Sequence, residues 1–447
     1  MHLGLGLHAQ SALHGHSVSG GSQPGPTPMA PIPGILDAAN VVILGASIMQ
    51  SGFGANGSER QALRDCAAAA GFTGVLLSYA VSGHQIANTR TRFADAKADL
   101  STDEGNNLYI AHTGGNNVSS QRPYPGGEAA IANDYDALIA DITATDTFLP
   151  LPLTKRLYGR ASGYTDPNSV NPADPASAAN GSLPYNENIL HPRIASLMPD
   201  WMGSDGMPVV NPYEVADRFP DLTGSDGIHG YGASIARYIL AKVAGRAHGI
   251  ARGSSRAGKS ILYDIRGNTE PNDSTWGQAF NSLQFYNNIG QNYPWLFGAG
   301  NTDGSFDPHI LIYPSGSYQN NSSYGPDAFA RIPDTRFHHA ALVERGLFVQ
   351  GSQEFTLNFE GLTPGDQLTM TAVGVRSSGA ANRKADATLN VGSASETLTL
   401  DAATSAPANQ ITFSPVTVPA DGSARLSLSV TAGSTFGYLH AVALDFS

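Results

Sequence analysis

At 447 residues the chain is too long for one ordinary domain and suits two domains with linkers, either of which can bury a sizeable core. A net charge of −12, with no lysine or arginine before Arg60, leaves few clustered cations for phosphate and argues against nucleic acid and anionic membrane as partners. The single cysteine excludes an internal disulfide, and 50 glycines and 28 prolines against 14% charged residues give the β-rich, loop-rich texture of extracellular or virion proteins.

Residues 1–36 are rich in glycine, serine, histidine and proline and read as a linker or attachment segment without a core. Their histidines, His2, His8, His14 and His16, fit a solvated tail better than a metal site. Met1 to His16 carries no lysine or arginine and no cleavage signature, so a standard signal peptide is not expected, and export by virion assembly or another route is left open.

From Ala39 the pattern alternates strand and helix, defining a first domain over 37–250. Val41-Val42-Ile43-Leu44 is a continuous apolar run suited to a parallel strand buried on both faces, with Ser47 just past its carboxyl end. Ser58-Glu59-Arg60-Gln61 offers a capping box and Gly71 a stop for the next helix, in which Cys66 reads as a small buried hydrophobe. A second strand near Val75-Leu76-Leu77 leads to Ser82-Gly83. A helix with Ile86, Phe93 and Leu100 on one face precedes a third strand, Leu108 to Ala111, which runs into Gly114-Gly115-Asn116-Asn117. Ile131, Tyr135, Leu138 and Ile142 mark another helical face, before a strand expected over Phe148 to Leu153. Val209-Val210 is expected to be the last strand. Asp226-Gly227-Ile228-His229 then stands before a helix with Ile235, Ile239 and Val243 on one side. No uncharged run is apolar enough to span a membrane.

Residues 251–259 read as a linker to a second domain over 260–447, where the hydrophobic period changes to two. It is seen in Phe355-Leu357-Phe359, Leu398-Leu400, Ile411-Phe413, Leu426-Leu428-Val430 and Val442-Leu444-Phe446. With turn signals at Pro364-Gly365-Asp366 and Asp421-Gly422, this predicts an antiparallel sandwich. Trp276, Tyr286, Trp295, Tyr313, Tyr318 and Tyr324 supply aromatic faces there, with core packing the more ordinary use.

The blocks around Ser47, Gly83, Asn116 and His229 share one chemistry. A serine hydroxyl is a poor nucleophile at neutral pH; it needs an imidazole to take its proton and a carboxylate to orient that imidazole, which His229 and Asp226 supply. Developing oxyanion charge needs pre-aimed donors, for which the backbone N–H groups of Ser47 and Gly83 and the side-chain amide of Asn116 are candidates. His84, His112 and His191 are rival histidines, and Asp205 and Asp217 rival carboxylates, but among these histidines only His229 has a carboxylate at a two-residue spacer. Arg156 and Arg160 are candidates for an anionic substrate, with a solvated surface role the plainer reading.

Over residues 40 to 246 these blocks resemble the SGNH (GDSL-type) hydrolase family. The resemblance implies a flavodoxin-like three-layer α/β domain with a parallel sheet, and a catalytic set of Ser47, Asp226 and His229 with an oxyanion hole from Ser47, Gly83 and Asn116. No metal or cofactor is implied. Two positions depart from the pattern: Ala46 stands where the first block has aspartate, and Asn117 where the third has it. Neither missing carboxylate belongs to the catalytic set, so altered local hydrogen bonding is expected. Met49 replaces the last glycine of a Gly-x-Ser-x-Gly elbow, which argues against the ordinary α/β-hydrolase fold. The second domain resembles the jelly-roll, carbohydrate-binding-like modules appended to some such esterases. The loop over residues 159–184 is expected to rim the site, with Tyr158, Tyr164 and Tyr185 placed to stack on a sugar.

The resulting expectation is an esterase that removes acetyl or other short acyl groups from a polysaccharide, extracellular or virion-associated, with attachment through the N-terminal segment. The alternatives are a phage-tail or surface receptor-binding protein with an inactive esterase domain, and a lipase or thioesterase.

Overall fold

The computed structural model describes residues 35–54, 61–117, 127–154, 185–203, 205–218, 232–248, 253–266, 280–284, 296–323, 332–338, 345–376, 382–402 and 408–447. In the first domain β1 (Asn40–Gly45), β2 (Val75–Ser78), β3 (Asn107–His112) and β4 (Thr147–Pro150) form one parallel sheet in the order β2-β1-β3-β4. Val41 lies opposite Leu76 on one side and Leu108 on the other. Every residue of β1 and β3 is buried, which is why both read as unbroken apolar runs rather than alternating ones. This order places a topological switch between β1 and β3, where doubly wound sheets open a crevice beyond their strand ends.

The helices are α1 (Ser47–Phe53), α2 (Gln61–Ala69), α3 (Ile86–Asp99), α4 (Gly127–Thr143), α5 (His191–Leu197), α6 (Pro212–Arg218) and α7 (Gly232–His248). The expected apolar faces of α4 and α7 are buried throughout, from Ile131 to Ile142 and from Ile235 to Val243. In α3, Ile86 and Phe93 are buried, and the Phe93 ring meets Tyr109 of β3 edge-on at 5.0 Å. Each such side chain taken from water contributes about 1.5–3 kcal/mol. Cys66 is fully buried on α2. No helix among the described residues is long and apolar enough to cross a membrane.

Two local expectations need correction. The fourth strand stops at Pro150, short of Leu153, because the segment's hydrogen bonds pass elsewhere: the Leu153 N–H donates to the Asn186 side chain and the Thr154 N–H to the His112 ring. Val209-Val210 is not a strand of the sheet. The Val209 N–H instead donates to the Trp201 carbonyl at 2.8 Å, within a small turn whose flanks, Met202 and Pro208, make an isolated bridge. Proline at 208 and 212 leaves little room for a ladder.

The second domain is built from β5 (Ser260–Arg266), β6 (Asn281–Gln284), β7 (Leu296–Gly300), β8 (Phe306–Gly316), β9 (Gln319–Ser323), β10 (Arg345–Gln350), β11 (Glu354–Glu360), β12 (Gln367–Val373), β13 (Lys384–Val391), β14 (Ala394–Asp401), β15 (Gln410–Thr412), β16 (Val416–Thr417), β17 (Ala424–Val430), β18 (Phe436–Leu439) and β19 (Ala441–Phe446). One sheet runs β14-β13-β17-β11-β8-β7 and a second β15-β12-β19-β5-β6, with β16 also on β12; a three-stranded sheet, β18-β10-β9, lies beside them. Alternating residues such as Phe355, Leu357 and Phe359 of β11 are fully buried, and Tyr263 of β5 meets Phe359 across the two large sheets at 6.1 Å. The expected antiparallel pairing holds except at β5 and β6, which pair in parallel. Tyr318 is core, packed edge-on against Phe355, and the Tyr313 hydroxyl donates to Glu360. Trp276, Tyr286, Trp295 and Tyr324 lie outside the described residues.

The two domains share one apolar core along α7. Tyr238 meets Phe297 edge-on at 5.3 Å, and Gly245 is so close to Pro308 that a Cβ there would lie 2.5 Å from the proline ring. Within 251–259, read from the sequence as a linker, Arg256 is 1% exposed and paired with the fully buried Asp307. Its guanidinium also donates to the Gly361 carbonyl and the Thr363 hydroxyl, so Arg256 is fastened to the second domain.

Candidate active site

Three of the four sequence blocks meet beyond the carboxyl ends of β2, β1 and β3. At the end of β1, Gly45 adopts φ +143°, and a Cβ there would lie 2.4 Å from the His112 carbonyl oxygen of β3 and 2.9 Å from the Met49 side chain. Only glycine lets the chain pass this point and begin α1 at Ser47. Met49, where an elbow would carry glycine, is buried against this turn. Ala46 sits at the N-cap and offers no side-chain acceptor to the first turn; the Gln50 N–H bonds the Ala46 carbonyl at 2.9 Å.

The second block is tied to the first by two hydrogen bonds. The Val81 N–H donates to the Gly45 carbonyl at 3.1 Å, and the Ser82 N–H to the Gln50 side-chain oxygen at 2.6 Å. Gly83 then takes φ +80°, and no described atom lies within 4 Å of where its Cβ would be.

The third block locks onto the second. The Asn116 side-chain amide donates to the His84 carbonyl at 2.9 Å, which uses one of its two hydrogens. The Gln85 side chain returns a bond to the Asn116 carbonyl at 3.4 Å. Asn117 is 2% exposed; its side-chain oxygen accepts the Ile86 N–H at the start of α3, while its amide nitrogen has no hydrogen-bond partner.

Gly114, at φ +101°, is pressed by Tyr185: a Cβ there would lie 2.2 Å from the tyrosine hydroxyl. Tyr185 is 3% exposed, its ring meets Tyr135 edge-on at 6.5 Å, and its hydroxyl donates to the Thr113 carbonyl at 3.4 Å. This corrects its reading as a sugar-stacking residue: Tyr185 is a wedge behind the third block, with no ring face left for a ligand. Tyr158, Tyr164, Arg156 and Arg160 lie outside the described residues.

Asp226 and His229 also lie outside the described residues. Gly232, three residues beyond His229, opens α7 and packs on α1: a Cβ at Gly232 would lie 2.2 Å from the Ser51 hydroxyl, and one at Gly52 would lie 2.6 Å from the Gly232 carbonyl oxygen. The rival histidines have other surroundings. His112 is buried and its Nε2 accepts the Thr154 N–H at 3.0 Å, a structural tie. His191 opens α5, with its pKa lowered by burial and its Nε2 without a hydrogen-bond partner. His84 adjoins the site; burial first, then the charge of Arg92, lowers its pKa, and its Nδ1 has no hydrogen-bond partner. Asp205 accepts the Met207 N–H in its own turn. Sequence reasoning missed Gln50, which has no motif to mark it, and the role of the His84 carbonyl, which is invisible in side-chain patterns.

No family model and no curated protein matches the chain. Among solved structures it is similar to a lipase/acylhydrolase from Enterococcus faecalis, at 17% identity over 46% of this chain and 96% of that one, with a TM-score of 0.32. It is similar to the esterase EstA from Pseudoalteromonas sp., at 16% identity over 40% of this chain and 91% of that one, with a TM-score of 0.25. A two-domain esterase active on acetylated mannans aligns with 92% of this chain and 91% of its own, at 14% identity and a TM-score of 0.26.

Proposed function

We propose that the protein is a serine esterase of the SGNH type that removes acetyl or another short acyl group from a polysaccharide. The observation that carries this reading is the hydrogen-bonded meeting of the Ser47, Gly83 and Asn116 blocks at adjacent strand ends. It supports a nucleophile at a helix start with further donors converging beside it, the arrangement acyl transfer requires.

In this reading His229, oriented by Asp226, takes the proton of Ser47 as its Oγ attacks the ester carbonyl. The backbone N–H groups of Ser47 and Gly83 and the second amide hydrogen of Asn116 hold the oxyanion. Collapse of the tetrahedral intermediate breaks the bond to the sugar oxygen, which leaves as an alcohol with the proton from His229. Water, deprotonated by the same imidazole, then releases the carboxylic acid and regenerates Ser47. Gly232, which opens α7 three residues past His229 in the sequence, packs on α1, the helix that begins at Ser47. The polysaccharide as substrate and a jelly-roll character for the second domain rest on the resemblance of its sequence to the carbohydrate-binding-like modules of some such esterases, with its two large β-sheets in support.

The test is acetate release from a panel of acetylated polysaccharides, run beside p-nitrophenyl esters of increasing chain length. Release by the wild-type chain, loss in Ser47→Ala and a preference for acetyl over long acyl esters are expected. No release by the wild-type chain contradicts the enzyme reading, turnover unchanged in Ser47→Ala contradicts Ser47 as the nucleophile, and a preference for long chains replaces the reading with a lipase or thioesterase.

A further inference from the structure

Among the described residues, the second domain holds a pair of arginines in no ion pair, beside partly exposed aromatic rings. Three glycines make the room. A Cβ at Gly437 of β18 would lie 2.5 Å from Ala385 of β13; one at Gly374 would lie 2.4 Å from the Tyr438 carbonyl oxygen; one at Gly346 would lie 2.1 Å from the His440 ring. β18 is thereby drawn in close to the ends of β12 and β13, and the Thr435 N–H donates to the Asn382 carbonyl at 3.1 Å.

Arg383 and Arg376 leave these strand ends over the rings of β18. The Arg383 guanidinium carbon lies 4.3 Å from the centre of the Phe436 ring and 5.8 Å from that of Tyr438, and Arg376 lies 5.2 Å from Tyr438. Phe348 of β10 closes the group, 5.6 Å from Phe436 and 5.7 Å from Tyr438. Tyr438 is 2% exposed, whereas Phe348 and Phe436 keep part of their surface in solvent.

The arginines differ from others in the same domain. Arg256 and Arg336 are each committed to aspartates, Asp307 for the first and Asp334 and Asp445 for the second. Arg376 and Arg383 enter no ion pair among the described residues, and Nε and Nη1 of Arg383 are shut from solvent without a hydrogen-bond partner. Both side chains are part-exposed, so an arriving carboxylate meets the charge of the pair from the solvent side, with acceptors for the donors that remain there. The neighbouring Phe348 and Phe436 edges suit the C–H face of a sugar ring.

We propose that Arg376, Arg383, Phe348 and Phe436 form a binding site for a carboxylate-bearing saccharide, a uronate residue of an acidic polysaccharide. The site lies in the sandwich domain and stands or falls independently of Ser47. Binding is measured by calorimetry on the full chain with short oligosaccharides of galacturonate, glucuronate and mannuronate, with their methyl esters, and with acetate. At least one free uronate binds, while its methyl ester and acetate bind about ten-fold more weakly or less, since esterification removes a charge-assisted hydrogen bond and acetate lacks the ring. Arg383→Gln lowers uronate affinity by a similar factor with an unchanged melting temperature. Arg376→Gln does the same and serves as the readout if Arg383→Gln does not fold. Equal binding of acid and ester, equal binding of acetate, no binding of any uronate, or full affinity in a folded arginine variant overturns the proposal.

Discussion

Gly114→Ala is the sharpest probe of how the third block is held. At φ +101° any side chain meets left-handed strain, about 1–2 kcal/mol for one residue. The added methyl would also sit 2.2 Å from the Tyr185 hydroxyl and 2.5 Å from the ring carbon bearing it, an overpacking that costs about 1–3 kcal/mol where neighbours are fixed. Tyr185 is fixed, wedged between Tyr135 and the Thr113 carbonyl, so the substitution should destabilise the protein by roughly 2–5 kcal/mol in total. Denaturant unfolding of Gly114→Ala, Tyr185→Leu and the double variant separates the two parts. The double variant should be less unstable than the sum of the singles by about the overpacking share, 1–3 kcal/mol, while the backbone strain persists. Turnover of p-nitrophenyl acetate should fall in Gly114→Ala, because Asn116 is two residues away. Additive energies, or a single variant within about 0.5 kcal/mol of wild type, would refute the wedge.

Asn116→Ala should lower kcat on p-nitrophenyl acetate by about 10²–10³ with little change in KM, as for loss of one oxyanion donor; an effect on KM alone would point to substrate binding instead. Arg256→Ala strands the buried Asp307 carboxylate and should cost about 3–5 kcal/mol in urea unfolding, and an unchanged midpoint would show that the carboxylate is satisfied without it. His440 is 1% exposed, and burial first, then the charge of Arg376, pushes its pKa down to about 3. The unfolded chain takes up that proton near pH 6.5, so the stability from neutral His440 is full above about pH 6.5 and drains away as pH falls toward 3. His440→Asn keeps an acceptor for the Val375 N–H; the wild-type advantage in melting temperature should shrink between about pH 7 and 4, and a constant gap would contradict the assignment.

Sequence patterns reached far where local physics decided the outcome. β1 and β3 announce themselves as apolar runs because both faces are covered, and α3, α4 and α7 as periodic faces because one side packs on the sheet. The turn at Gly45 was recognisable as a strand end. α1 was not, since Ser47–Phe53 is a short helix with serine, glutamine and glycine, held by the contact of Gly52 with Gly232, far away in sequence. The parallel pairing of β5 and β6 is hidden because alternation does not encode strand direction. The place of Tyr185 is hidden for another reason: only the folded chain shows the notch at Gly114 into which it fits. Within the site, the positions of Ser47, Gly83 and Asn116 at strand ends were legible. The bonds from Gln50 and to the His84 carbonyl that join them depend on tertiary placement.

The central claim, a nucleophilic serine at the head of α1, is tested most directly by treating the full chain with a p-nitrophenyl phosphonate and mapping the adduct by mass spectrometry. The account predicts one stoichiometric adduct on the peptide carrying Ser47, with loss of esterase turnover, and neither in Ser47→Ala nor in His229→Ala. Modification of another serine with loss of activity, or equal labelling of Ser47→Ala, would contradict it.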